Sequence, residues 1–156
     1  QVGTLRDLET SAARNADLAG GGRGAVGHIV GLKFGNCATV GGSIYGRFGF
    51  SDVLTLFLAL DCEVELYKAG RMPLAQFAGL APDRDILVRV LVPDAAIRVS
   101  YQAVRIARTD LPLLTCAAAL PQNAAPRLII GARPMRAMPV EDTQGILSAG
   151  VPGRRE

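Results

Sequence analysis

The chain has 156 residues, of which 49% are hydrophobic, and carries a formal net charge of +3. This length suits one ordinary domain or two small ones, with enough apolar residues to build a core. The longest apolar run, residues 53–60, is far shorter than the ~20 residues that span a bilayer. The charge is mild and spread out, and Trp is absent, so the sequence argues against a nucleic-acid partner as well as a membrane span.

The amino-terminal stretch predicts a short helix followed by a glycine-rich connection. Leu5 and Leu8 stand at helical spacing behind Thr4, which predicts a helix over residues 4–13. Residues 22–27 match GxGxxG formally, but a polar stretch precedes them where a dinucleotide fingerprint needs a buried strand. A loop leading into a helix is therefore the preferred interpretation. This end also lacks the features of a secretory signal, which predicts a cytoplasmic protein.

The middle of the chain alternates helix and strand signals. Ser51 is a good N-cap, and Asp52 follows in the first turn, where the helix dipole favours negative charge. Residues 62–68 alternate apolar with polar side chains, which predicts a half-buried strand that turns at Gly70. The helix after Ser51 is given an apolar face by Leu54, Phe57, Leu58 and Leu60.

The carboxyl-terminal part predicts mostly strands. Pro73 begins a short helix, and a strand over residues 85–93 is stopped by Pro93, near which we expect a subdomain boundary. Strands bunched with helices, without a repeating βαβ order, predict an α+β fold with mostly antiparallel sheet and flanking helices. Beyond Pro93 the patterns predict strands over residues 97–107, 113–120 and 127–132 and a helix over residues 140–150.

The reactive side chains form no recognisable motif. Cys37, Cys62 and Cys116 have no CxxC spacing, so buried reduced thiols are the preferred interpretation, and no metal site is predicted. The single histidine, His28, has no serine or acid at motif spacing, which makes an independent hydrolase the weakest hypothesis. No catalytic residue is predicted in this chain.

The segment GNCATVGGSIYGRFGFSD, residues 35–52, is rich in glycine and runs directly into the helix after Ser51. Glycine permits positive φ and close approach of a ligand or backbone, at a cost of roughly 0.5–1 kcal/mol in regular structure. Two interpretations remain open from the residues alone. The segment is either a convoluted turn or a cradle whose backbone N–H groups face phosphate or another polar ligand group.

Four stretches follow one another along the chain: NCATVGGSI, SD with an apolar helix, ILVRVLVP and YQAVRIARTDLPLLTCAAAL. Together they resemble the FAD-binding subunit or domain of molybdenum hydroxylases of the xanthine dehydrogenase family. That family's pattern is approximately R-N-x-A-T-[IV]-G-G-N-[IL], a polar loop, S-D and a helix. The resemblance covers about residues 4–140. It implies that residues 1–93 are the second half of the flavin domain and residues 94–156 a small, truncated α+β carboxyl-terminal domain.

The resemblance also implies a cofactor site. The glycine segment would lie along the flavin dinucleotide. The Ser-Asp pair would contact the polar portion of the cofactor, and the carboxylate would accept a proton from the cofactor in a hydrogen bond. An apolar pair would lie against the isoalloxazine ring. Gln102 stands where xanthine dehydrogenases often carry a lysine near the flavin. The FAD-binding residues implied are Ala38, Thr39, Gly41, Gly42, Ser43, Ser51, Asp52, Ile86, Leu87 and Gln102.

The chain departs from the family pattern in three places. Gly35 replaces the usual Arg, and Ser43 replaces the usual Asn after the double glycine. Family members also begin with another subdomain, which holds the pyrophosphate from the opposite side. We therefore expect this chain to be a fragment that binds FAD poorly until the missing amino-terminal flavin subdomain is supplied.

Two function hypotheses follow from the resemblance. The first is an electron-transfer component. A molybdopterin subunit oxidises the substrate and supplies electrons to the [2Fe-2S] clusters of another partner subunit. FAD receives the electrons from these clusters and passes them to NAD. The second is a non-catalytic scaffold or interaction module of the same fold. Flavin colour in the purified protein favours the first, and a colourless protein that still binds its partner subunits favours the second.

Overall fold

Two antiparallel sheets and three helices make up the part of the chain that the structure, a computed structural model, describes: residues 38–93, 97–107, 110–122, 124–132, 136–141, 143 and 145. This architecture confirms the predicted α+β class. In chain order the elements are α1 (Val40–Tyr45), α2 (Asp52–Ala59), β1 (Glu63–Leu66), β2 (Gly70–Pro73), α3 (Leu74–Gly79), β3 (Leu87–Leu91), β4 (Ile97–Val104), β5 (Leu114–Pro121), β6 (Arg127–Gly131) and β7 (Met138–Val140).

The first sheet has the strand order β2-β1-β3, and β1 pairs antiparallel with both neighbours. Alternation in β1 is as predicted, because Val64 and Leu66 are buried while the residues between them are partly exposed. Gly70 has φ +75, the left-handed region that glycine enters without steric cost, and it carries the chain from β1 into β2. Strand β2 itself was not predicted.

The second sheet is a meander with the order β4-β5-β6-β7, in which every pair is antiparallel. Strands β4, β5 and β6 confirm the three strands predicted beyond Pro93, each within a few residues of the expected bounds. The helix predicted over residues 140–150 is wrong at its start, because Val140 is the last residue of β7. Residues 142, 144 and 146–150 of that prediction lie outside the described residues.

Helix α2 packs against the second sheet and against α1 and α3, and it organises the core. Ser51 caps it as predicted, with its side chain accepting a hydrogen bond from the backbone N–H of Leu54 at 3.1 Å. Every residue of α2 is buried, so the buried surface is wider than the single apolar face predicted from the sequence. A helix that is buried all round packs against neighbours on both sides. One core cluster accordingly contains residues from α2 and from both sheets.

No helix within the described residues is long and apolar enough to cross a membrane. Several other predictions fall on residues that the structure does not describe. Cys62 is buried and Cys116 is partly buried, in line with the predicted reduced thiols. Outside the described residues lie the helix over residues 4–13, the GxGxxG pattern over residues 22–27, His28, Gly35 and Cys37.

Candidate functional site

The double glycine lies in a helix rather than in the loop that the sequence predicted. Gly41 and Gly42 belong to α1, a helix of six residues. Glycine lowers helix propensity by about 1 kcal/mol per residue, so α1 depends on its cap and its packing. Thr39 supplies the cap, since its Oγ1 accepts a hydrogen bond from the backbone N–H of Gly42 at 2.9 Å, and Ile44 supplies a fully buried side chain.

Thr39 and Ser43 keep part of their hydrogen-bonding capacity after these internal contacts. The Thr39 hydroxyl uses one acceptor position for the cap and retains its proton as a donor. The Ser43 hydroxyl donates to the backbone carbonyl of Thr39 at 3.0 Å and retains its acceptor positions. Gly42 is exposed beside them. The N-terminal turn of α1 thus offers a donor, an acceptor and bare backbone on a surface open to a ligand.

Ser51 ties the second predicted segment to the first. Its hydroxyl donates to the backbone carbonyl of Ser43 at 3.0 Å, in addition to capping α2. This bond joins α1 to the start of α2 across eight residues. The Ser-Asp pair and the glycine segment therefore meet in space, as the resemblance implies.

Asp52 points into the protein. Its side chain is 9% exposed, and Oδ1 accepts hydrogen bonds from the Tyr101 hydroxyl and from the Arg105 guanidinium, the latter at 2.5 Å. Burial, together with the neighbouring Asp52 carboxylate, raises the pKa of Tyr101, so its hydroxyl remains protonated and donates. The structure gives Asp52 a role that the sequence did not predict: it joins α2 to Tyr101 of β4 by a hydrogen bond and to Arg105, directly after β4, by an ion pair.

The apolar pair at the start of β3 lies beside α1. A Cβ placed on Gly41 would stand 3.8 Å from Cδ2 of Leu87, an ordinary van der Waals distance. Ile86, directly before Leu87, is 65% exposed, which is unusual for a large aliphatic side chain with no covering residue. Bare glycine backbone and the Leu87 side chain therefore adjoin, with the exposed Ile86 next to Leu87 in the chain.

The remaining two predicted site residues lie apart from this surface or beneath it. Ala38 is half-buried and packs against the core. Gln102 is exposed on β4, on the opposite face of that strand from Tyr101, because successive side chains of a strand alternate. The structure thus brings together residues 39–43, Ser51 and Leu87, with Ile86 adjoining Leu87 in the chain, and it does not bring Gln102 to them.

A family model described as the FAD binding domain in molybdopterin dehydrogenase matches residues 3–95, more than half of the chain. The chain belongs to this family of FAD-binding domains. The family match confirms the resemblance inferred from the NCATVGGSI and SD motifs. A search of curated proteins returned no match.

Solved structures similar to this FAD-binding domain include two enzyme chains at low sequence identity. Quinoline 2-oxidoreductase from Pseudomonas putida 86 has a TM-score of 0.70 and 20% identity over 87% of this chain and 52% of its own. Carbon monoxide dehydrogenase from Hydrogenophaga pseudoflava has a TM-score of 0.73 and 19% identity over 91% of this chain and 54% of its own. The chain therefore spans about half the length of these neighbours, and the similarity establishes the fold.

The residues of this FAD-binding domain fit a flavin dinucleotide. A Cβ on Gly42 would stand 2.9 Å from Oγ1 of Thr39 and would cover the exposed backbone there, so glycine keeps this approach open. Ile86 and Leu87 are apolar side chains that could face a flat aromatic ring, and Thr39 and Ser43 carry hydroxyls that could hydrogen-bond a polar chain.

Asp85 fixes the backbone directly before Ile86 and Leu87 through hydrogen bonds to its carboxylate. Its carboxylate accepts hydrogen bonds from the backbone N–H groups of Lys68, Ile86 and Ala69 at 2.7–3.0 Å. Desolvation disfavours the charged form, but these three donors and the Lys68 ammonium outweigh it, so the pKa of Asp85 is lowered. The carboxylate thereby ties the turn after β1 to the residue that leads into β3.

We expect Asp85→Asn to remove an acid-sensitive part of the stability. A carboxyl whose pKa is lowered by folding stabilises fully above its unfolded value, near 3.9, and the contribution is lost as pH falls through the folded value. Wild type should therefore melt above Asp85→Asn at about pH 6, with the difference shrinking below about pH 4. Melting temperatures across this range measure it. A difference independent of pH would contradict the assignment.

Sequence reasoning missed the residues whose hydrogen bonds hold the elements of the candidate site in place. Tyr101 and Arg105 belong to a segment in which only Gln102 was singled out, and their common strand face was the available signal. Tyr45 and Arg47 lie inside the glycine-rich segment and were not considered. Both contact residues 81–85, about 34 to 40 positions away in the sequence, for which the sequence carries no visible signal.

Proposed function

We propose that this chain is the FAD-binding electron-transfer component of a molybdenum hydroxylase of the xanthine dehydrogenase type. Its partners would be a molybdopterin subunit and a [2Fe-2S] subunit, and NAD would be the electron acceptor. Residues 1–93 would form the flavin subdomain and residues 94–156 the carboxyl-terminal domain. The family match over residues 3–95 supports the flavin part of this proposal.

The observation that carries the proposal is the meeting of two segments that are separate in the sequence, residues 39–43 and the start of β3 at Leu87. Thr39, Gly42 and Ser43 offer a donor, bare backbone and an acceptor. Leu87 lies against α1, and Ile86 is exposed beside it. An apolar surface next to small polar groups and glycine matches a ligand with a flat ring and a polar chain, which is the chemistry of a flavin dinucleotide.

The protein residues would bind and orient the cofactor. Ile86 and Leu87 would cover one side of the ring and exclude water there. Thr39 and Ser43 would hydrogen-bond the polar chain, and the glycines would let it approach the backbone. FAD, when bound, supplies the redox chemistry, accepting electrons and delivering a pair to an acceptor.

Flavin content tests the proposal directly. The protein purified with the subunits it retains should carry FAD, seen as flavin absorbance, and anaerobic addition of NADH should bleach that absorbance if NAD is the physiological acceptor. Retained flavin without bleaching would overturn the NAD assignment alone. A colourless protein that takes up no added FAD even when an amino-terminal flavin subdomain is supplied, but still assembles with its partners, would overturn the proposal in favour of a scaffold.

We expect Gly42→Val to lose FAD while the fold survives. The new side chain would occupy the exposed backbone surface and press on the Thr39 cap, whose loss costs helices about 1 kcal/mol. Flavin content and melting temperature measure the two effects separately. Gly79→Val is the matched control, since a Cβ on Gly79 meets no atom within 4 Å. Normal flavin content in a folded Gly42→Val protein would contradict this site.

A further inference from the structure

Arg47 is a buried arginine at the carboxyl end of α1. Its backbone has φ +51, the left-handed region, where a residue other than glycine is strained by about 1–2 kcal/mol. Its side chain is only 6% exposed. The guanidinium stacks over the Phe77 ring at 4.0 Å from the centroid and lies 5.3 Å from the centroid of Tyr45.

The Arg47 guanidinium hydrogen-bonds to residues 81–83, the segment before β3. Nη1 donates to the backbone carbonyl of Ala81 at 2.8 Å, and Nη2 donates to the Asp83 carboxylate at 3.1 Å. Nε is buried and has no hydrogen-bond partner. Backbone strain, a buried charge and an unpaired donor are all costs, and arginine is poorly suited to such a position if stability alone is considered. The arrangement therefore calls for a role beyond stability.

Tyr45 holds the same segment two residues further on. Its hydroxyl oxygen lies 2.7 Å from the carbonyl of Asp85 and accepts a hydrogen bond from the backbone N–H of Asp85 at 3.1 Å. Its ring lies 5.9 Å from that of Phe77, centroid to centroid. Arg47 and Tyr45 thus fix residues 81–85 from the carboxyl end of α1 at several points.

Residues 81–85 lead directly into Ile86 and Leu87. Leu87 in turn touches the amino end of α1, at the position where a Cβ on Gly41 would stand 3.8 Å away. Helix α1 therefore contacts β3 at one end and holds the segment before β3 at the other. The spacing between the glycine backbone and the apolar pair is set by these two sets of contacts.

We propose that Arg47, assisted by Tyr45, is a positioning residue that fixes Ile86 and Leu87 at the distance from Gly41 and Gly42 that the flavin requires. This inference rests on the proposed function. Arg47 touches neither the exposed glycine surface nor Ile86 in the described contacts, and it acts through residues 81–85. A planar guanidinium suits this task because it donates in two fixed directions while stacking on an aromatic ring.

Arg47→Met tests the proposal in the protein purified with the subunits it retains and stripped of FAD. Methionine keeps an apolar stem over Phe77 and removes both donors, and Asp83 is 45% exposed, so water can replace its lost partner. We expect a near-normal melting temperature, a Kd for added FAD weaker by about tenfold and a changed visible circular dichroism of the bound flavin. Amide exchange at residues 81–87, measured without FAD, should become faster.

Arg89→Met is the matched control. Arg89 also pairs with a carboxylate, that of Glu65, but its side chain is 63% exposed on β3. Surface ion pairs of this kind contribute little, so the Kd for FAD, the flavin spectrum and the exchange at residues 81–87 should all remain as in wild type. Tyr45→Phe, which keeps the ring and removes the hydroxyl, carries the same expectations as Arg47→Met if that variant fails to fold.

The outcomes separate the two proposals. A folded Arg47→Met or Tyr45→Phe protein with wild-type FAD affinity, flavin spectrum and amide exchange overturns the positioning role. If Gly42→Val loses FAD in the same assay, the flavin site itself stands. A wild-type protein that takes up no FAD even when an amino-terminal flavin subdomain is supplied overturns both the proposed function and the positioning role.

Discussion

Replacing Gly131 by alanine should destabilise the protein by about 1–3 kcal/mol, the usual cost of adding a methyl group to a tightly packed core. A Cβ at this position would stand 2.5 Å from Oγ1 of Thr115, 2.5 Å from Oγ1 of Thr55 and 3.1 Å from the carbonyl of Gly49. Real Cβ contacts under 3.0 Å are essentially never seen, so something must shift.

The neighbours of Gly131 have little room to shift. Thr55 and Thr115 are both fully buried, and their hydroxyls hydrogen-bond each other at 3.0 Å. The Thr55 hydroxyl also lies 3.1 Å from the carbonyl of Ser51, and β-branched side chains have stiff χ1 angles. Relieving the clash would therefore break a polar contact that joins α2 to the second sheet, which moves the expected cost toward the upper end of the range.

Chemical denaturation measures the effect. Gly79→Ala is the matched control, because a Cβ there meets no atom within 4 Å and alanine favours helix by up to about 1 kcal/mol. We expect the denaturation midpoint to fall for Gly131→Ala and to stay or rise for Gly79→Ala. Equal midpoints for Gly131→Ala and wild type would mean that β6 and α2 are less tightly packed than described.

The fold was predictable where the determining signals were local. Ser51 caps α2 through a side chain three residues from its partner, and the alternation of β1 and β4 is visible in short windows. Helix α1 was missed because two glycines hide it, and its stability depends on the Thr39 cap and the buried Ile44. Strand β7 was missed because it is short and contains Pro139, which an edge strand tolerates.

The residues of the candidate site were named from a motif, but the residues that support them were not. The resemblance named the residues at the amino end of α1 and Leu87 in β3, and these lie next to each other in the structure. It did not name Arg47 or Arg105, whose partners lie 34 to 53 positions away in the sequence. Such long-range polar pairs depend on how the sheets and helices pack, and one sequence contains no record of that packing.

Replacing Asp52 by alanine should destabilise the protein by about 3–5 kcal/mol, the cost of removing one partner of a buried ion pair. Arg105 would be left with a side chain only 9% exposed and no carboxylate, and Tyr101 would lose the acceptor for its buried hydroxyl. Asp52→Asn should cost less, because the amide oxygen can still accept from Tyr101 and Arg105.

This prediction separates the possible roles of Asp52. As a helix-dipole residue alone it would contribute about 0.3–1 kcal/mol, so Asp52→Ala would barely change the melting temperature. As a flavin ligand alone it would lower flavin content without a matching loss of stability. If Asp52 is the ion-pair partner of Arg105, directly after β4, Asp52→Ala should lower the denaturation midpoint even in protein stripped of FAD, and the folded fraction should keep its affinity for added FAD.

Urea denaturation of the FAD-free protein and FAD titration of the folded variants give the two measurements. Glu65→Ala is the matched control: it also removes the carboxylate of an arginine pair, but on the surface, where we expect little change in either quantity. A folded Asp52→Ala protein with wild-type stability and lost FAD binding would return Asp52 to the cofactor. Lost stability with wild-type FAD affinity would instead identify Asp52 as the residue that anchors α2 to the second sheet, because its carboxylate binds Tyr101 and Arg105. The Ser51 contact with α1 would be anchored along with α2.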